Sequence, residues 1–194
     1  MDKSKLTNEE SLKIITSMIH QARVNIRQSS FHLLFWGWLI FFCSSTEFLL
    51  YKFTDIGTPY YIWLFVIPGI FVSMIYGFKT GRRERVITYA DRIYMWLWLA
   101  FMVTTIILFI LMIDRMGSFV PFMLMMAGFP TFMSGIILKF KPLIAGGIIF
   151  WAISVISSFT GPDIMALSMP VAVVTGYLIP GYMLKHRNGH DNIQ

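Results

Sequence analysis

Apolar and polar residues alternate along this chain in long blocks. Six apolar runs follow a polar leader: Phe31–Phe53, Tyr60–Phe78, Ile93–Ile113, Phe119–Leu138, Pro142–Phe159 and Met165–Leu184. A helix rises 1.5 Å per residue, so about 20 apolar residues cross the ~30 Å hydrocarbon core of a bilayer. The fifth run is the shortest, at 18 residues. Charge gathers in the breaks: KTGRRERVITYADR after the second run, DRMGS after the third, KFK after the fourth, TGPD after the fifth. The pattern predicts an all-α integral membrane protein. Its transmembrane domain, residues 31–184, is a six-helix bundle made of three helical hairpins (1–2, 3–4 and 5–6), with residues 185–194 as a tail.

Residues 1–30 form a different unit, with a second kind of periodicity. TNEE offers a capping box, with Thr7 as N-cap and Glu10 three residues on. Leu12, Ile15, Ile19, Ala22 and Ile26 then recur at spacings of three and four, one stripe of a helix. Lys13, Thr16, His20, Arg23 and Arg27 cover its other faces. Two readings of this amphipathic cytoplasmic helix stand side by side. One is an interfacial helix leading into the first span. The other is a helix for self-association or for docking a protein partner, because the stripe also fits a short heptad seam.

Composition agrees with lipid as the solvent. Hydrophobic residues make up 56% of the chain and charged residues 13%, with a mean hydropathy of +0.66. A globular domain carries about 25% charged residues. The first thirty residues are too polar, and the first apolar run too long, for a cleaved signal peptide. That run is expected to remain as a signal anchor.

Basic residues set the orientation. With the N-terminus in the cytoplasm, fourteen of the sixteen Lys and Arg fall inside, and only Lys52 and Arg115 outside. Asp55, Asp114 and Asp163 mark the three outer loops. Trp36, Trp38, Trp96 and Trp98 form an inner aromatic belt, and Tyr51, Tyr60, Tyr61 and Trp63 an outer one. The expected location is a bacterial inner membrane, multi-pass, with both termini cytoplasmic. The net charge of +6 is absorbed by topology and anionic headgroups, and calls for no nucleic acid.

Small residues recur every four positions in the even spans: Gly69, Ser73 and Gly77; Ala127, Thr131 and Gly135; Ser168, Ala172 and Gly176. Such rows let helix backbones approach closely in lipid. Each even span also holds proline, which bends a helix: Pro68, Pro130, Pro170 and Pro180. The even helices are therefore expected to pack tightly and carry kinks. The odd spans open alike, FWGWLIF in the first and MWLWLAF in the third. A threefold hairpin repeat and ordinary membrane-helix usage both account for these features.

Glu47 is the conspicuous residue, a carboxylate inside FFCSSTEFLL. Gly37, Ile40, Ser44, Glu47 and Tyr51 share one stripe of the first span, which points that face into the bundle. Glu47 stands about 7 Å to the outer side of the midpoint. Ser44, Thr104, Thr105, Ser154, Ser157 and Ser158 lie at middle or outer depths. With Glu47 they form a candidate intramembrane cluster for water, a proton or a small ligand. The alternative is a structural or interfacial glutamate.

Catalytic and metal constellations are missing from the pattern. His20, His32, His186 and His190 are cytoplasmic or at the inner edge, and Cys43 is the only cysteine. There is no HExxH, GxSxG or Gly-rich phosphate loop. Ser134 in FMSGII has no intramembrane base nearby in the pattern, and RRERVITYADR reads as a topology anchor before an active site. The expectation is no metal and no cofactor.

The run ESLKIITSMIHQARVNIRQSSFHLLFWGWLIF, with STEFLLYKF and AGGIIFWAIS, resembles a family of small inner-membrane proteins of Bacteroides-type bacteria. The likeness covers most of the chain and is strongest over the first 53 residues. It implies six spans behind a cytoplasmic leading helix and attaches no activity or catalytic residue. The functional expectation is a non-enzymatic sensing, regulatory or accessory protein. The alternative is a small-molecule or ion transporter or channel working through Glu47, with an intramembrane enzyme of unfamiliar type behind it.

Overall fold

A computed structural model describes residues 8–54, 60–81, 89–112 and 119–190. Thr7, Asp55, Asp114, Arg115 and the basic 82–88 connection lie outside them, as do the side chains of residues 8–29, 60, 77–81, 90–91 and 187–190. The described residues are almost all helical and hold no strand, and five helices are long and apolar enough to cross a membrane.

The first helix, α1, runs unbroken from Asn8 to Phe53, 46 residues and about 69 Å. The stretch has no proline and a single glycine, Gly37, so nothing in it ends a helix. The leader and the first span are thus one element. A helix lying flat in the membrane plane would need a break between them.

The second run is composite. Tyr60–Phe65 is 3₁₀ and α2 follows as Val66–Gly81. Its continuous apolar α-type length falls short of the other spans. The remaining helices are α3 (Tyr89–Leu111), α4 (Phe119–Ile137), α5 (Lys141–Ser158), α6 (Pro162–Val173) and α7 (Ile179–His190), the last two joined by a π-helical turn, Val174–Leu178. That turn sits between Pro170 and Pro180, whose missing N–H groups disturb the ordinary i→i−4 ladder. Thr175 Oγ1 occupies carbonyls there, donating to Val171 O at 2.9 Å.

The hairpins are not the tightest units. The closest pair is α4 with α5, which joins the second and third expected hairpins, while α1 lies against α6, the π turn and α7. A short turn makes the α4–α5 pair. Phe140 N donates to Gly135 O and Lys139 N to Ile136 O, with Lys139 at φ 50°, a Schellman ending without its usual glycine. Phe140 is buried beside it.

Glycine then brings the backbones together. A Cβ on Gly147 would sit 2.7 Å from Phe132 N, and one on Gly135 would sit 2.6 Å from Ile144 N. A Cβ on Gly146 would reach 2.6 Å from the carbonyl oxygen of Gly176. The expected rows on α4 and on α6 with its π turn are thus buried: Ala127, Thr131, Gly135, Ser168, Ala172 and Gly176. On α2 the row is looser. Gly69 meets Leu39 and Ser73 bonds to α1, while most of the helix is exposed and Gly77 falls outside the described side chains. The core joins Leu33, Leu124, Leu143, Phe150, Val173 and Tyr177. α3 packs chiefly on α4 and leaves most of its apolar surface open.

Candidate functional site

Glu47 is half-buried on α1, and its Oε2 accepts a hydrogen bond from Trp63 Nε1 at 2.8 Å. Trp63 is carried by the 3₁₀ turn before α2. One turn earlier on α1, the buried Cys43 donates its thiol weakly to Ile62 O at 3.7 Å. The carboxylate and the only cysteine therefore grip the same short segment. A carboxylate accepting an indole N–H is a charge-assisted bond and stronger than a neutral one. Farther out, Lys52 pairs with Asp163 at 2.5 Å, tying the end of α1 to the start of α6. That pair is exposed, and exposed pairs contribute little.

The other residues of the candidate cluster are not joined to Glu47. Among the described residues no hydrogen bond links it to any of them. Ser44 donates to Phe41 O on its own helix. Thr104, exposed on α3, donates to Ala100 O at 2.8 Å and Phe101 O at 3.0 Å. Ser157 and Ser158 both donate to Ser154 O at 2.9 Å. Ser154 crosses to α4, donating to Pro121 O at 2.7 Å. Thr105 Oγ1 is buried without a partner among the described residues. The physical reason is local: a hydroxyl in a helix bonds its own i−3 or i−4 carbonyl and needs no cluster.

A second polar set went unread in the pattern. Trp36 Nε1 donates to Ser73 Oγ at 3.2 Å, and Ser73 Oγ lies 3.3 Å from His32 Nδ1. A serine oxygen can accept twice and donate once, so the direction of the Ser73–His32 bond follows the imidazole tautomer. Tyr76 stacks on Phe31, their centroids 3.9 Å apart. This set ties the C-terminal half of α2 to α1. Deeper in the bundle, the Tyr177 hydroxyl lies 3.3 Å from Thr131 Oγ1, which donates to Ala127 O at 2.7 Å. Ser134 Oγ, fully buried, has no partner among the described residues.

No group of three His, Cys, Asp or Glu side chains suited to a metal occurs among the described residues. Compared with protein-family models, curated proteins and solved structures, the chain matches none.

Proposed function

We propose that this is a multi-pass protein of a bacterial inner membrane that crosses the bilayer six times, keeps both ends in the cytoplasm, and serves as a non-enzymatic sensing, regulatory or accessory subunit. Supporting six crossings, the 3₁₀ turn lengthens the second run. Six residues at about 2.0 Å and the next thirteen at 1.5 Å give about 31 Å, enough for the hydrocarbon core. The fourteen-to-two distribution of basic residues supports the orientation. One observation carries the accessory reading: Ser44, Thr104, Ser157 and Ser158 bond carbonyls of their own helices, while α5 closes on α4 at Gly135 and Gly147 and on the π turn at Gly146 and Gly176. An interior built this way suits a scaffold for its long α1 arm.

Deleting residues 1–28 tests it. Loss of a partner or of a cellular phenotype is expected, with the membrane domain still inserted. An unchanged partner set and phenotype would refute the reading. A reporter fused at the C-terminus must also stay active in the cytoplasm. The second reading is transport through Glu47, favoured by its half-buried carboxylate having Trp63 as its hydrogen-bond donor. Glu47→Gln would then abolish pH-dependent flux in liposomes, and unchanged flux would remove it.

A further inference from the structure

The stripe of the leader and the stripe of the first span are one. Positions 12, 15, 19, 22 and 26 continue into 30, 33, 37, 40 and 44 on one face, because α1 has no break and the 18 residues from 12 to 30 make five whole turns. The second half of that stripe is where α1 joins the bundle. Ser30, Leu33, Gly37 and Ser44 are buried, and Ile40 packs against the core. The apolar positions of the arm therefore lie on the side of α1 that holds α6 and α7.

The bundle stops short of them. α7 runs antiparallel to α1. A Cβ on Gly37 would sit 2.9 Å from Leu178, and one on Gly181 would sit 2.9 Å from Leu34. Followed at equal rise, His190 falls level with about residue 25 of α1. α2, with Ser73 at Trp36 and Tyr76 at Phe31, ends at Gly81 at nearly the same level. Some 26 Å of α1 continues past both.

We infer that residues 12–22 of the arm extend the α1–α7 seam to receive an amphipathic helix of another protein, one bearing acidic residues beside its apolar stripe. This rests on the accessory reading above and names the partner's chemistry. Continuity with the α1–α7 interface supplies the apolar half of the argument. Charge supplies the other half. At the end of the bundle where the arm emerges, Arg92, Lys139, Lys141 and Lys185 are all exposed. The geometry disfavours a second copy. Two parallel arms would have to bring together the sides that each turns beneath its own bundle.

Photocrosslinking in the intact full-length protein in its membrane tests this. A benzoylphenylalanine is placed on the stripe, at Ile15 or Ile19, or opposite it, at Ser17 or Gln21. The expected result is a crosslink from the stripe alone, to a helical segment whose apolar face is flanked by Asp or Glu, with a yield that falls as ionic strength rises. Ile15→Glu with Ile19→Glu should weaken a crosslink made from Leu12 at least about tenfold, the loss expected when apolar seam contacts go. The heat-induced exposure of Cys43 should stay unchanged, because the stripe lies outside the bundle. Crosslinks to a second copy, to lipid alone or to a basic segment would overturn the inference, as would earlier melting of the double variant. Crosslinks from Ser17 and Gln21 alone would overturn it while leaving the accessory reading standing. A chain lacking residues 1–28 that kept every partner would remove both.

Discussion

Gly146→Ala tests the claim that backbone contact holds the centre together. The new methyl carbon would stand 2.6 Å from Gly176 O, 3.2 Å from its Cα and 3.3 Å from its carbonyl carbon. Ordinary contacts begin near 3.4 Å, so α5 and the π turn must part by about 0.8 Å. Backbone cannot swing aside as a side chain can. Gly176 has its own reason to be small, since a Cβ there would collide with the ring of Phe150. Phe150 in turn packs edge-on against Tyr177, with centroids 4.9 Å apart. Overpacking costs about 1–3 kcal/mol. Alanine regains about 1 kcal/mol of helix propensity. A net loss of up to about 2 kcal/mol follows, a fall of up to roughly 8 °C in Tm for a chain of this size. The chain carries its own probe: Cys43 is the only cysteine and is 3% exposed, so a thiol-reactive dye reads unfolding in detergent without further labelling. Ile148→Ala, one turn face away and exposed, is the control and should move the midpoint little. A Gly146→Ala protein melting above the wild type would refute the reasoning, because helix propensity would then outweigh a contact that is not there.

Trp63→Phe removes the N–H that Glu47 accepts and should cost about 1–2 kcal/mol, seen as dye reaching Cys43 at lower temperature. Glu47→Gln keeps an acceptor and should melt within about 1 kcal/mol of the wild type by the same assay. Tyr177→Phe and Thr131→Val each delete one side of a buried hydrogen bond, so a double-mutant cycle of melting midpoints should show coupling of about 1 kcal/mol. Ser134→Ala discards a buried hydroxyl that has no partner among the described residues and should be neutral or stabilising in the same scan. Lys139→Gly relieves a left-handed residue at the α4–α5 turn and should raise the midpoint by the equivalent of about 1 kcal/mol.

Where most of the long helices lie was legible in the sequence, because an apolar run is a property of one segment at a time. α4 and α5 end within a residue or two of the expected boundaries, and α1 ends at the expected Phe53. Which helices pair depends on two segments at once, and the pattern carried less of that. The small rows on α4 and α6 marked real close approaches, yet Gly146 and Gly147 on an odd span supply the other side and Gly128 makes room for Trp151. The AGG of AGGIIF was their only sign. The π turn had a sign as well, two prolines ten residues apart. The hydroxyls misled for a simple reason: depth in a span says nothing about whether a serine faces a neighbour or its own carbonyl. Glu47 was legible as an oddity. Its partner was not, because a 3₁₀ turn on the far side of a loop has no periodic signature linking Trp63 to it.

The glutamate makes physical sense once α2 is considered. In lipid, apolar surface offers helices little reason to associate, so close packing and polar bonds must hold them. α4 and α5 use glycine. α2 buries little and presents Phe71, Val72, Met74 and Ile75 outward, so packing alone holds it weakly. It is fastened at both ends by polar groups of α1 instead: Trp36 and His32 on Ser73 at one end, Glu47 on Trp63 and Cys43 on Ile62 at the other. A carboxylate serves the clasp at Trp63 better than a serine there, since a serine's hydroxyl would turn to its own carbonyl, as Ser44 and Thr46 do. A carboxylate has no such local alternative and reaches outward to Trp63. On this argument the free energy spent placing an acid in the first span is returned as the docking of the second.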